Sequence, residues 1–294
     1  MSSLSDVVIN AARATVDIPP PPQSVINLAW ADLIFAFIFL FINGWIAWKH
    51  GKAGMVCWQI LLPAFIARII ADIYQIINKD QPMIPTAVST MTASAVLACI
   101  SLALIGIIYE CNTILPTKPK AWSEKIILGV LHLFNTGGIA VATYGGSASA
   151  TGEGGVINQS LYRIGTLILL FVLFSVCGWM WPTFRKIQRY SRFHPNARPA
   201  RHMFWAAVAA MAFWLLRLAY DTFYAYDHLT ELDPVMGTFG TKLVLVFGTY
   251  LGASIALLAG GWLGMSKIPL DMTMELVTSS EERQEDVEML VHRK

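Results

Sequence analysis

Ala67-Arg68-Ile69-Ile70-Ala71-Asp72-Ile73-Tyr74 and Leu216-Arg217-Leu218-Ala219-Tyr220-Asp221-Thr222-Phe223-Tyr224 each set Arg-x-x-x-Asp inside an apolar run of membrane-spanning length. Four residues make about one helical turn, so each Arg and its Asp share a helix face, one above the other. Charges at that depth in a bilayer cost several kcal/mol unless they are paired or face a wet cavity. A chain that carries this cost twice has something polar inside an apolar bundle.

The surrounding composition agrees. The chain has 294 residues, of which 55% are hydrophobic and 14% charged, against about 25% charged in soluble domains. That balance indicates an integral membrane protein whose main partner is the lipid bilayer. A net charge of +2 gives no support for nucleic-acid binding. Cys57, Cys99, Cys111 and Cys177 fall in or beside apolar runs and form neither a disulfide framework nor a metal-binding spacing. Residues 1–25 hold no continuous apolar core, and Pro19–Pro22 reads as extended polyproline. The first span is therefore expected to serve as an uncleaved membrane signal.

Seven apolar segments are long enough to cross a membrane, at roughly 26–48, 55–77, 86–109, 125–144, 161–183, 203–226 and 240–263. The expected fold is all-α and polytopic: an N-terminal segment 1–25, a seven-helix domain 26–265 and a polar tail 266–294. Lys49, His50 and Lys52, then Lys118, Lys120 and Lys125, then Arg185, Lys186, Arg189, Arg192, Arg198 and Arg201 fall in the odd connections. By the positive-inside rule those connections are cytoplasmic, with the N-terminus out and the C-terminus in. Glu110 and Glu124 count there as loop charges. Trp45, Trp48, Trp58, Trp122, Trp179, Trp181, Trp205 and Trp262 fall near the same side, as an interfacial belt should, whereas Trp214 is mid-span.

Gly44-Trp45-Ile46-Ala47-Trp48 closes the first span and Gly178-Trp179-Met180-Trp181 the fifth. With the shared Arg-x-x-x-Asp this suggests a 3+1+3 parallel repeat joined by the fourth helix. Asn158-Gln159-Ser160 is a glycosylation sequon. Ser279-x-x-Glu282 resembles a helix capping box in the tail.

Aligned by depth, Asp32, Asp72 and Asp221 lie in the outer half of the bundle, with Thr90, Thr92 and Ser94 nearby. Arg68 and Arg217 lie one turn deeper. Each Arg-Asp pair taken singly could simply pin helices together. Three acids against two arginines leave one carboxyl over, which would hold a proton at neutral pH. His132 reads as a core histidine. No lysine lies in the seventh span for a Schiff base, and H-x-x-x-H, D-D-x-x-D and Gly-x-Ser-x-Gly are missing. Neither a metal nor a cofactor is expected. Gly248-x-x-x-Gly252 with Ala253 and Ser254 reads as a close-packing face.

On span pattern, polyproline-like entry and the Arg-containing second and sixth helices, residues 26–265 resemble an uncharacterised family of fungal seven-helix integral membrane proteins. More loosely, the chain is similar to the membrane-bound terpene cyclases of fungal meroterpenoid clusters, which protonate a prenyl epoxide or olefin with an embedded carboxyl. That resemblance implies an endomembrane enzyme of secondary metabolism, in the endoplasmic reticulum or another endomembrane, that cyclises or isomerises a prenylated lipophilic substrate. Asp72 and Asp221 would match the acids in kind and depth; the neighbouring arginines depart from an isolated acid. The expected site is Asp72, Asp221 or Asp32 as acid, with Arg68, Arg217, Tyr74, Tyr220, Tyr224 and Trp214 holding the substrate. A seven-helix sensor, receptor or small-molecule transporter, in the plasma membrane or within the cell, is the alternative reading.

Overall fold

The apolar runs become seven long helices in the computed structural model, which describes residues 19–52, 54–82, 86–115, 122–146, 158–192, 194–227, 229–234 and 237–265. They are α1 (Gln23–His50), α2 (Met55–Ile77), α3 (Ala87–Thr113), α4 (Trp122–Gly146), α5 (Gln159–Tyr190), α6 (Ala197–Asp227) and α7 (Phe239–Leu263). All seven are long and apolar enough to cross a membrane, and the regular structure among the described residues is all helical. Two helices carry a wider π-helical stretch: Met55–Gln59 opens α2 and Lys242–Gly248 lies near the start of α7. The tail with Ser279 and most of the N-terminal segment fall outside the described residues.

The helix ends follow local chemistry. Pro22 is extended at φ −63°, ψ 152°, so the proline run feeds straight into α1. Gly51, at φ 56°, turns the chain out of α1 in a conformation that favours glycine. Thr86 and Ser89 form a reciprocal capping box at the start of α3. The Asn158 side chain of the sequon accepts a hydrogen bond from Leu161 N at 3.1 Å and caps α5.

On the basic side, α5 and α6 run further than the apolar pattern indicates. Arg185, Lys186 and Arg189 belong to α5, and Arg198 and Arg201 to α6, leaving a short connection between Tyr190 and Ala197. Positive charge marks where hydrocarbon ends, yet nothing in Arg or Lys ends a helix. Glu110 is likewise inside α3, at 1% exposure, and is not a loop charge.

Successive helices run antiparallel, and α3 is the pivot, touching α2, α4, α5, α6 and α7. Its Ile100, Ala103, Leu104, Ile105, Ile107 and Ile108 are at most 1% exposed. A helix that is apolar all round belongs in such a position. Around it α1 packs on α2 and α7, and α6 packs on both α5 and α7. Small residues set the closest approaches. A Cβ on Gly106 of α3 would lie 2.6 Å from Val56 O, and one on Gly165 of α5 would lie 2.3 Å from Ala142 N. Gly252 does the same for α7, where an added Cβ would meet the Phe213 ring at 2.6 Å. Phe41, Leu133 and Phe171 point outward, where acyl chains would meet them.

Candidate functional site

Buried faces at three- and four-residue spacing bring α1, α2 and α7 together along one seam. On α1 the stripe is Asp32, Ala36, Phe39, Asn43, Ile46 and His50; on α2 it is Trp58, Leu61, Phe65, Arg68 and Asp72. At the end where α1 begins, Arg68 binds Asp32 of α1 through both Nε and Nη2. Its Nη2 is also 3.3 Å from Asp72 Oδ1, outside hydrogen-bond geometry. Asp32 is fully buried and Asp72 is 1% exposed. Asp32 Oδ1 and both oxygens of Asp72 have no hydrogen-bond partner. One guanidinium thus serves two buried carboxyls, and it commits to the one on the other helix. The Arg68 guanidinium also lies 5.8 Å from the centre of the Tyr250 ring on α7. Beneath it, Phe39 and Phe65 pack at 5.7 Å, and Phe65 meets Tyr250 at 6.4 Å.

The second Arg-x-x-x-Asp pair closes within its own helix. Arg217 Nε donates to Asp221 Oδ2 at 3.0 Å, one turn along α6, giving one acid per base. Arg217 Nη1 reaches Leu245 O at 3.5 Å, inside the π-helical stretch of α7. Tyr220 donates to Leu232 O at 2.7 Å and Tyr224 to Asp233 Oδ2 at 2.5 Å. Both tyrosines therefore fasten the α6–α7 connection. Arg163 donates to the Ala225 and Tyr226 carbonyls at 3.0 and 3.1 Å, closing the end of α6. Neither ion pair nor hydrogen bond joins Asp32, Arg68 or Asp72 to Arg217 or Asp221.

The remaining expected residues lie elsewhere. Trp214 Nε1 donates to Ser101 Oγ of α3 at 2.7 Å, beside a buried cavity about the size of one water that Ser101 and Asn135 help to line. Tyr74 stands two residues beyond Asp72, on another side of α2. Thr92 bonds within its helix to Val88 O at 2.7 Å, and Ser94 accepts from Thr143 of α4 at 2.7 Å.

A third group, where α1 ends, has no counterpart in the sequence reading. His50 Nδ1 is 2.5 Å from Glu110 Oε1, and both side chains are 2% exposed. Trp58 Nε1 donates to Glu110 Oε2 at 2.9 Å, and His50 Nε2 is 2.8 Å from Gly261 O. A carbonyl only accepts, so Nε2 carries a hydrogen. The short contact to Glu110 then contains one further proton, on the imidazole or on the carboxyl. The buried pair is neutral overall. The sequence signal was present: Ala103, Ile107 and Glu110 continue one buried face of α3, as Asn43, Ile46 and His50 do on α1. Among the described residues no group of three His, Cys, Asp or Glu is placed to hold a metal ion.

Seven apolar helices closed over buried ion pairs define an integral membrane protein. Residues 25–265 match a domain of unknown function, DUF7702, and the chain belongs to that family. Neither a curated protein nor a solved structure matches the chain.

Proposed function

We propose that the protein is a membrane-embedded enzyme of fungal secondary metabolism, in the endoplasmic reticulum or a related endomembrane. Its basic helix ends face the cytoplasm, and it cyclises or isomerises a prenylated lipophilic substrate by acid initiation. Asp72 is the proton donor. The observation that carries the reading is the pair of unbonded carboxyl oxygens of Asp72 beside a guanidinium already committed to Asp32. A proton on Asp72 cancels the negative charge left when two buried carboxyls share one base, and that proton is available to a substrate olefin or epoxide. The Tyr250 ring lies 5.8 Å from the Arg68 guanidinium, with Phe65 and then Phe39 packed beyond it, and these rings offer π faces to a developing cation. Asp221 is matched by Arg217 and is assigned to holding α6 and α7, so the acid narrows to one residue.

Expression in a host without related pathways, supplied with prenylated precursors, tests this by mass spectrometry of lipid extracts. Wild type should yield a new product, folded Asp72→Asn none, and Asp221→Asn some. Undiminished product from Asp72→Asn would remove the reading.

A second reading, a sensor or transporter built on the parallel repeat, draws on the position of α7. It meets Arg217 through Leu245 O and Arg68 through the Tyr250 ring, with part of a π-helical stretch between them. Such stretches often occur at functional sites. A ligand that released either arginine would free α7 to shift. Ligand-dependent change in α7 accessibility without product would favour it.

A further inference from the structure

We propose that the seam between α1, α2 and α7 is a proton path across the bundle, with Asp32 and Asp72 at one end and His50 and Glu110 at the other. This goes beyond the catalytic reading, although it uses the same Asp72. Asp32 and His50 are eighteen residues apart on α1, about 27 Å at about 1.5 Å per residue. That is close to the hydrocarbon thickness of about 30 Å. The seam therefore carries titratable groups at both membrane faces, and intramembrane chains of acids and histidine are the residue class used for proton relays.

Buried oxygens lie at an intermediate level between the two ends. The His50–Gly261 contact fixes the register of α1 against α7, which run in the same direction. Asn43 precedes His50 by seven residues and Ser254 precedes Gly261 by seven, so both lie at one level, about 10 Å inward. Both are fully buried. Asn43 Nδ2 donates to Trp58 O at 2.8 Å, while its Oδ1 has no partner. Ser254 Oγ and Tyr250 Oη, one turn apart, approach each other without a well-formed bond. Buried oxygens of this kind take water as their partner. Tyr250 packs against Phe65 and reaches the Arg68 group.

The groups facing the path select the proton. Arg68 stands beside both acids and repels a free metal cation, whereas a proton enters by neutralising a carboxylate. At the other end the His50–Glu110 pair already holds one transferable proton, with the Cys57 and Cys111 thiols close to Glu110. In each passage the proton held by Asp72 passes towards the His50–Glu110 pair, the pair gains one proton and releases one at its own face, and Asp72 is reprotonated from the opposite face. One positive charge crosses.

The test uses the full chain in phosphatidylcholine–phosphatidylglycerol vesicles with an internal pH dye, driven by a potassium gradient and valinomycin. Wild type and Cys177→Ser should carry protons faster than protein-free vesicles. Ser254→Ala should fall to the protein-free rate, Ser254→Thr should restore flux, and Glu110→Gln should abolish it. Wild-type flux equal to that of protein-free vesicles overturns the proposal, and so does full flux in folded Ser254→Ala. The vesicles contain no prenylated substrate, so failure here leaves the cyclisation reading standing, and loss of product in the host leaves this one.

Discussion

His50 and Gly261 meet at 2.8 Å although 211 positions separate them, and that contact fastens the end of α1 to the end of α7. Through Glu110 and Trp58 the same imidazole also ties in α3 and α2. Four helices thus share one buried polar knot. Removing one partner of such a pair strands the other without solvent. Glu110→Ala and His50→Ala should each cost about 3–5 kcal/mol, while Glu110→Gln, which keeps an acceptor for Trp58, should cost less. Thermal unfolding in detergent reads this directly. An unchanged midpoint in Glu110→Ala would contradict the geometry.

The Arg68 group should respond asymmetrically. Arg68→Leu leaves two buried carboxyls without a base and should cost about 3–5 kcal/mol. Asp72→Asn removes the acid with no hydrogen bond and should cost no more than about 1 kcal/mol. Equal losses for the two variants, measured by the same unfolding assay, would show that Asp72 is bound more tightly than its contacts indicate.

Arg217 and Asp221 form a closed one-to-one pair, so they should behave as a unit. Either single leucine substitution should cost about 3–5 kcal/mol, and the double variant should recover much of that loss. A double-mutant cycle on unfolding free energies measures the coupling. Additive losses would mean that the ion pair contributes nothing beyond its separate packing.

Helix spacing gives a prediction that needs no functional assay. Gly106→Ala and Gly165→Ala drive a Cβ into the backbone of a neighbouring helix and should cost about 1–3 kcal/mol or more. Gly44→Ala and Gly178→Ala meet nothing within 4 Å. These should be neutral or stabilising by up to about 1 kcal/mol. Melting temperatures of the four purified variants rank them.

The seven spans were legible because apolar length is written directly in the sequence. The two Arg-x-x-x-Asp motifs were legible as same-face pairs, and Arg217–Asp221 realises that spacing at 3.0 Å. Arg68 shows the limit: its best partner is Asp32, thirty-six residues away on another helix. Spacing within one helix cannot reveal a competitor across an interface. Glu110 and His50 were obscured for a related reason. Next to lysines and polar residues they looked like flanking charge, and only their continuation of two buried stripes distinguishes them. The π-helical stretches left no sequence signature that separates them from ordinary helix.

The wide turn at Lys242–Gly248 makes α7 tolerant of the loss of one residue. A π-bulge holds a surplus residue relative to an ordinary turn, so losing one codon there would tighten the coil rather than break it. Everything downstream, from Tyr250 to Gly261, would keep its seat, and the change would fall on the Leu245 carbonyl that receives Arg217. Relatives one residue shorter in this stretch should therefore also differ at Arg217.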